Sequence, residues 1–143
     1  VRRLLGRDGA IRLTVHALTP GGLMHVAIAS QPVDLKDRFL YHKTTRRGVY
    51  DRARAERPDC DDVILWNEAG AVTEGTFANI VVESDGKKVT PPVACGLLPG
   101  VMREELLETG EVSEGIVTVD ALKQAEKIWL INSVRRWMPV RLV

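Results

Sequence analysis

The chain has 143 residues, of which 45% are hydrophobic and 27% charged, and its 20 Lys and Arg against 19 Asp and Glu leave a net charge of +1. That length fits one domain over residues 1–143 rather than two, and the apolar content is too high for a disordered chain. The even charge balance lacks the basic excess of a dedicated nucleic-acid binder, and no apolar run reaches the roughly 18 residues that cross a bilayer.

The N-terminal residues carry no secretory apolar region. Cys60 and Cys95 are too few for a disulfide scaffold, so free thiols in a reducing cytoplasm are expected. The first predicted element is a strand at residues 11–17, with Ile11, Leu13, Val15 and Ala17 on one face and Arg12, Thr14 and His16 on the other. Pro20-Gly21-Gly22 reads as a turn, and residues 25–29 as a more buried strand ended by Pro32, which cannot donate to a sheet ladder. Residues 39–42 are apolar and aromatic and are expected to be extended. A helix is predicted from Arg46 to about Arg57, capped by Thr44 or Thr45, with Pro58 just past its end.

Residues 63–66 form a core strand, turned by Asn67-Glu68-Ala69-Gly70 into a partner at 71–73. Residues 80–83 and 88–90 flank Ser84-Asp85-Gly86-Lys87; Asp-Gly tolerates positive φ, so a second hairpin is predicted. Leu98-Pro99-Gly100 opens a helix at 101–109, stopped by Gly110. A strand at 116–117, a short helix at 119–125 with Asp120 near its start, a buried strand at 128–131 and a last extended segment at 137–140 complete the chain. Hairpins mixed with helices imply an α+β, mixed-sheet domain and not a doubly wound Rossmann unit.

Several chemistries are missing. His16, His25 and His42 stand at no metal-ligand spacing, and there is no dinucleotide fingerprint, Walker loop or G-x-S-x-G elbow. Arg46, Arg47, Arg52, Arg54 and Arg57 gather on one predicted helix, most simply as a solvated basic face balanced by Asp51 and Glu56.

Four segments together point to a reaction. In Leu40-Tyr41-His42-Lys43-Thr44-Thr45-Arg46-Arg47, a lysine at the end of an apolar segment can reach into a cleft, where a neutral amine condenses with an aldehyde. In Val72-Thr73-Glu74-Gly75-Thr76-Phe77-Ala78-Asn79, a carboxylate sits where Gly75 interrupts a strand. There it can hold a ring nitrogen protonated, as an electron-sink cofactor such as pyridoxal phosphate requires. In Leu98-Pro99-Gly100-Val101-Met102-Arg103, open amides at a helix start suit a phosphate, although Pro-Gly also serves as a plain helix-start turn. Ile131-Asn132-Ser133-Val134 ends a buried strand in small polar residues that can add a hydroxyl to the same phosphate.

With these four motifs in this order, residues from about 39 to 140 resemble the C-terminal domain of the class IV (fold type IV) pyridoxal-phosphate aminotransferases. That family includes branched-chain and D-amino-acid aminotransferases and 4-amino-4-deoxychorismate lyase. The resemblance implies pyridoxal 5'-phosphate as cofactor and Lys43 as the catalytic, cofactor-bearing lysine. It implies Glu74 beneath the pyridine nitrogen, the Val101 and Met102 amides and Ser133 on the phosphate, and Arg47 beside the cofactor. Thr76 and Asn79 become candidates for substrate contact, although Asn79 can equally pin the strand interruption. His42 reads also as a packing residue, Trp66, Trp129 and Trp137 as core, and Arg135 and Arg136 as either carboxylate partners or solvent-facing.

Tyr41-His42-Lys43-Thr44-Thr45, with Arg47 and Tyr50-Asp51, is most similar to bacterial aminodeoxychorismate lyases. Transaminase members more often carry a tyrosine at about the position of Gly48. The expected activity is therefore a lyase giving 4-aminobenzoate and pyruvate. The alternatives are an aminotransferase acting on branched-chain or D-amino acids, or a half-domain inactive by itself. Family members are two-domain chains about twice this long, so an N-terminal domain in cis and a homodimer are expected partners, along with a small-molecule substrate.

Overall fold

The computed structural model describes residues 2–18 and 21–143. Strands β1 (Arg2–Leu5) and β2 (Ile11–Thr14) form a separate antiparallel hairpin, with Leu5 opposite Ile11 and Arg2 opposite Thr14. The predicted strand at 11–17 is shorter than expected, because residues 15–17 have no ladder partner among the described residues. Its alternation is present but its apolar face is uncovered: Ile11 and Leu13 are about 60% exposed. Pro20 of the predicted turn lies outside the described residues.

The remaining strands are β3 (Met24–Ile28), β4 (Asp62–Trp66), β5 (Val72–Gly75), β6 (Asn79–Ser84), β7 (Lys87–Thr90), β8 (Ser113–Glu114), β9 (Lys127–Asn132) and β10 (Arg136–Leu142). They make one eight-stranded sheet in the order β5-β4-β3-β10-β9-β6-β7-β8. The pairs β3–β4, β3–β10 and β7–β8 are parallel and the others antiparallel, so the domain is α+β with a mixed sheet. The sheet curls until β5 approaches β6, and the Gly75 amide donates to the Ala78 carbonyl at 2.9 Å.

At β4, β6 and β9 both sheet faces are covered, which is why these strands read as apolar runs rather than alternations. Ile64, Ile80 and Leu130 point into the curl with Val26, Val72 and Leu122. On the opposite face, Val63 and Leu65 receive Tyr50 and Ala53 of helix α1 (Gly48–Glu56). Val81 and Ile131 likewise receive Met102 and Leu106 of helix α2 (Val101–Glu108). Trp66 packs on the α1 cluster, and Trp129 and Trp137 on the α2 cluster in edge contact at 5.4 Å, so all three are structural. Both cysteines are buried and free. No helix of the described residues is long and apolar enough to cross a membrane.

The local predictions fail where a side chain diverts the backbone. Residues 39–42 are not extended: Asp37 accepts the Phe39 amide at 2.9 Å and caps a 3-10 turn at Arg38–Leu40 that buries Leu40. Helix α1 starts at Gly48, not Arg46, because the Thr44 hydroxyl accepts the Arg46 amide within the loop instead of capping the helix. Helix α3 (Val119–Gln124) is capped by Thr118, whose hydroxyl accepts the Ala121 amide at 3.1 Å; Asp120 lies in its first turn. Residues 116–117 are not a strand. β7 pairs with Ser113–Glu114 instead, and Val117 enters the core while Ile116 faces solvent.

Candidate active site

A cavity of about 490 Å³ opens at the rim of the sheet, within the range of small-molecule sites. Its walls come from the loop before α1, the β5–β6 corner, the start of α2 and the turn after β9. Lys43, Arg47, Glu74, Thr76, Asn79, Val101, Met102 and Ser133 all line it, so segments 90 residues apart in sequence meet in one place.

Glu74 is the buried anchor, 4% exposed. Its Oε1 accepts the Tyr50 hydroxyl at 2.8 Å and the Leu98 amide at 3.1 Å, and its Oε2 accepts the Asn79 side-chain amide at 3.3 Å. Burial pushes its carboxyl up to about 7, against the opposing pull of the Tyr50 hydroxyl, the Leu98 amide and the positive Arg47 and Lys43. The same burial, with the charge of Glu74 beside it, raises the Tyr50 phenol. A cation placed against Oε2 would complete the ionisation of this acid.

Lys43 sits in the irregular loop between the 3-10 turn and α1, not at a strand end, and shares the cavity with Glu74. His42 is exposed and lines the same space, so it is not a packing residue. Arg47 donates to the Thr76 carbonyl and lies 4.8 Å above the Tyr50 ring, while Arg46 lies 5.1 Å from the Phe39 ring. The Thr76 hydroxyl turns away from the cavity to Asp62, and the Asn79 amide is divided between Glu74 and the Leu98 carbonyl at 2.8 Å.

Helix α2 begins at the cavity wall. Gly100 is its N-cap, and a Cβ there would collide with Asn79 Oδ1, so the missing side chain lets the helix start close on the anchor. Glu104 is the first residue to donate back to the Gly100 carbonyl, which leaves the amides of Val101 and Met102 without intrahelical acceptors. Ser133 lies in the turn between β9 and β10, where Asn132 Oδ1 accepts the amides of Val134 and Arg135. Arg136 turns out to Glu105 at 3.5 Å, so it meets a protein carboxylate outside the cavity.

Sequence reasoning assigned no site role to Tyr50, the Leu98 amide or Asp62. Tyr50 lies one turn inside α1 on the face turned to Glu74, and helical spacing from the loop was the signal that could have found it. Gly75 has a testable role: a Cβ there would lie 2.6 Å from Asp62 Oδ2 and 2.9 Å from Leu130 Cδ2. Gly75→Ala is expected to destabilise the fold by about 1–3 kcal/mol through overpacking, measured by urea unfolding. An unchanged midpoint would show that the corner yields freely.

The donor set fits pyridoxal phosphate. An anchored acid with a free lone pair, an amine in the same cavity and open amides at a helix start match a basic ring nitrogen, an aldehyde and a phosphate. Residues 2–143 match the family described as amino-transferase class IV, and the chain belongs to that family. It is 32% identical over 140 residues to the aminodeoxychorismate lyase of Bacillus subtilis, covering 94% of this chain and 43% of that one. It is 36% identical over 104 residues to a protein of Thermotoga maritima named a probable branched-chain-amino-acid aminotransferase, covering 69% of this chain and 38% of the other. A crystal structure from Mesorhizobium loti, provisionally named an amino-acid aminotransferase, shares 37% identity. It matches with a TM-score of 0.88 over 99% of this chain and 71% of that one. The chain spans less than half the length of these two curated relatives.

Proposed function

We propose that this chain is the cofactor-binding domain of an aminodeoxychorismate lyase, converting 4-amino-4-deoxychorismate to 4-aminobenzoate and pyruvate. One observation carries the choice of substrate. The charged lining of the cavity is Lys43, Arg46 and Arg47 against the single carboxylate of Glu74, a balance suited to a phosphate together with a substrate bearing two carboxylates. In this reading an N-terminal domain in cis completes the pocket and the whole protein is a homodimer.

When bound, pyridoxal phosphate supplies an electron sink conjugated to the carbon that carries the substrate amine. Lys43 would hold the cofactor through its amine and, as a free amine, would take the proton from that ring carbon as general base. Glu74 would meet the ring nitrogen with a carboxylate and keep it protonated; Tyr50, Asn79 and the Leu98 amide hold Glu74 in place. The amides of Val101 and Met102, with the Ser133 hydroxyl, would hold the phosphate. Arg47 steadies the cofactor, and Arg46, at the cavity wall, meets a substrate carboxylate. With the proton on Lys43, the bond from the adjacent ring carbon to the enolpyruvyl oxygen would break, its electrons leaving with the enolate; the enolate would take up a proton to become pyruvate, and aromatisation of the ring would drive the step.

An aminotransferase acting on branched-chain or D-amino acids is the second reading; the name of the Thermotoga relative supports its branched-chain form. The two differ in products. Supplied with 4-amino-4-deoxychorismate and no amino acceptor, the intact protein is expected to release 4-aminobenzoate and pyruvate in equal amounts. Turnover that appears only with an amino acid and a 2-oxo acid, with no 4-aminobenzoate, would replace the lyase by the transaminase.

A further inference from the structure

We infer that Asp62 is a positioning residue for the cofactor cavity: its buried carboxylate fixes Thr76, and Thr76 in turn aims Arg47. The inference rests on the reading of Arg47 as a side chain that steadies the cofactor. Asp62 opens β4 and is fully shielded from solvent, a place where a carboxylate rarely stands without a cation. Among the described residues it has no salt-bridge partner. Its Oδ2 accepts the Thr76 amide at 3.0 Å and its Oδ1 accepts the Thr76 hydroxyl. Two donors from one residue on one carboxylate fix both the backbone and the rotamer of that residue.

Gly75 makes the approach possible, since a Cβ there would overlap Asp62 Oδ2. The opposite end of Thr76 faces the cavity, where its carbonyl accepts Arg47 Nη2. Arg47 makes no salt bridge with Glu74, the one carboxylate lining the cavity. Its closest acid, Asp51, stands 4.0 Å away with an exposed side chain on the helix surface. Its guanidinium is therefore held between the Thr76 carbonyl and the Tyr50 ring, and the direction of that carbonyl is set from behind by Asp62. A buried acid that the reaction does not use thus acts on the site through one intervening residue.

The test is a double-mutant cycle read as the dissociation constant of pyridoxal phosphate, titrated into the intact cofactor-free protein, with the melting temperature followed alongside. Asp62→Asn keeps the shape but turns an N–H toward donors. It is expected to weaken cofactor binding about tenfold, Arg47→Ala by a similar factor, and the double variant by no more than about twofold beyond Arg47→Ala. Thr76→Val, which removes only the hydroxyl donor, takes the place of Asp62→Asn in the same cycle should that variant not fold. Losses that multiply in the double variant overturn the inference, because Asp62 would then support the fold alone. Wild-type affinity in Arg47→Ala overturns the reading of Arg47 and this inference with it. A weakened Arg47→Ala beside an unaffected Asp62→Asn overturns only the inference.

Discussion

Lys43→Ala in the intact protein is expected to abolish the absorbance band of the covalently held cofactor and to lower lyase turnover by at least about a hundredfold, the low end of what a positioned general base contributes. The loop explains why the effect falls on chemistry and not on folding. Lys43 is exposed, outside every helix and strand, and in none of the core clusters. The melting temperature of the cofactor-free variant should therefore stay near that of the parent. Turnover that survives the substitution would assign the proton transfer to another group, and a large loss of stability would give Lys43 a structural role.

The second large effect concerns Glu74 in the cofactor-free protein. Its carboxyl titrates at about 7 when folded and near the ordinary 4.5 when unfolded, with burial as the main cause. Between those values the native state holds a proton that the unfolded state has released. The stabilisation from this group is thus fully present below about pH 4.5 and is lost as pH rises through 7, by about 3 kcal/mol in all. Glu74→Gln has no such titration. The stability of the parent relative to Glu74→Gln should fall steadily between pH 5 and pH 7.5 in urea unfolding, and a difference that does not change with pH would contradict the burial argument. Comparing the two proteins cancels the contribution of Asp62, whose carboxyl burial also raises.

How much of this was legible beforehand depended on where the information lay. The hairpin around Asp85-Gly86 was readable because the requirement is local: both residues adopt positive φ, 52° and 70°. The strands at β4 and β9 announced themselves as apolar runs because both of their faces are buried. The 3-10 turn at Arg38–Leu40 was hidden, since a single Asp37 bond outweighed an apolar string that reads as extended. The strand expected at 116–117 failed for a non-local reason: β7 recruits Ser113–Glu114 instead. Motif order gave the candidates that line the cavity, but the support behind them was out of reach. Tyr50 and Glu74 are 24 residues apart, Asp62 and Thr76 are 14 apart, and neither pair has a spacing rule to announce it.

Strand β10 lies fourth in the eight-stranded order, with β3 on one side and β9 on the other, and Val140 is in register with Met24. The seam joining the two halves of the sheet is thus made by the segment that the ribosome delivers after all the others described. While synthesis runs, β3 and β4 can pair, and β6, β7 and β9 can assemble, but no strand pairing joins the two groups until β10 is made. A nascent chain therefore has the parts of the pocket before it has the pocket, and closing it means joining residues more than a hundred positions apart, among the slowest contacts a chain of this size can make.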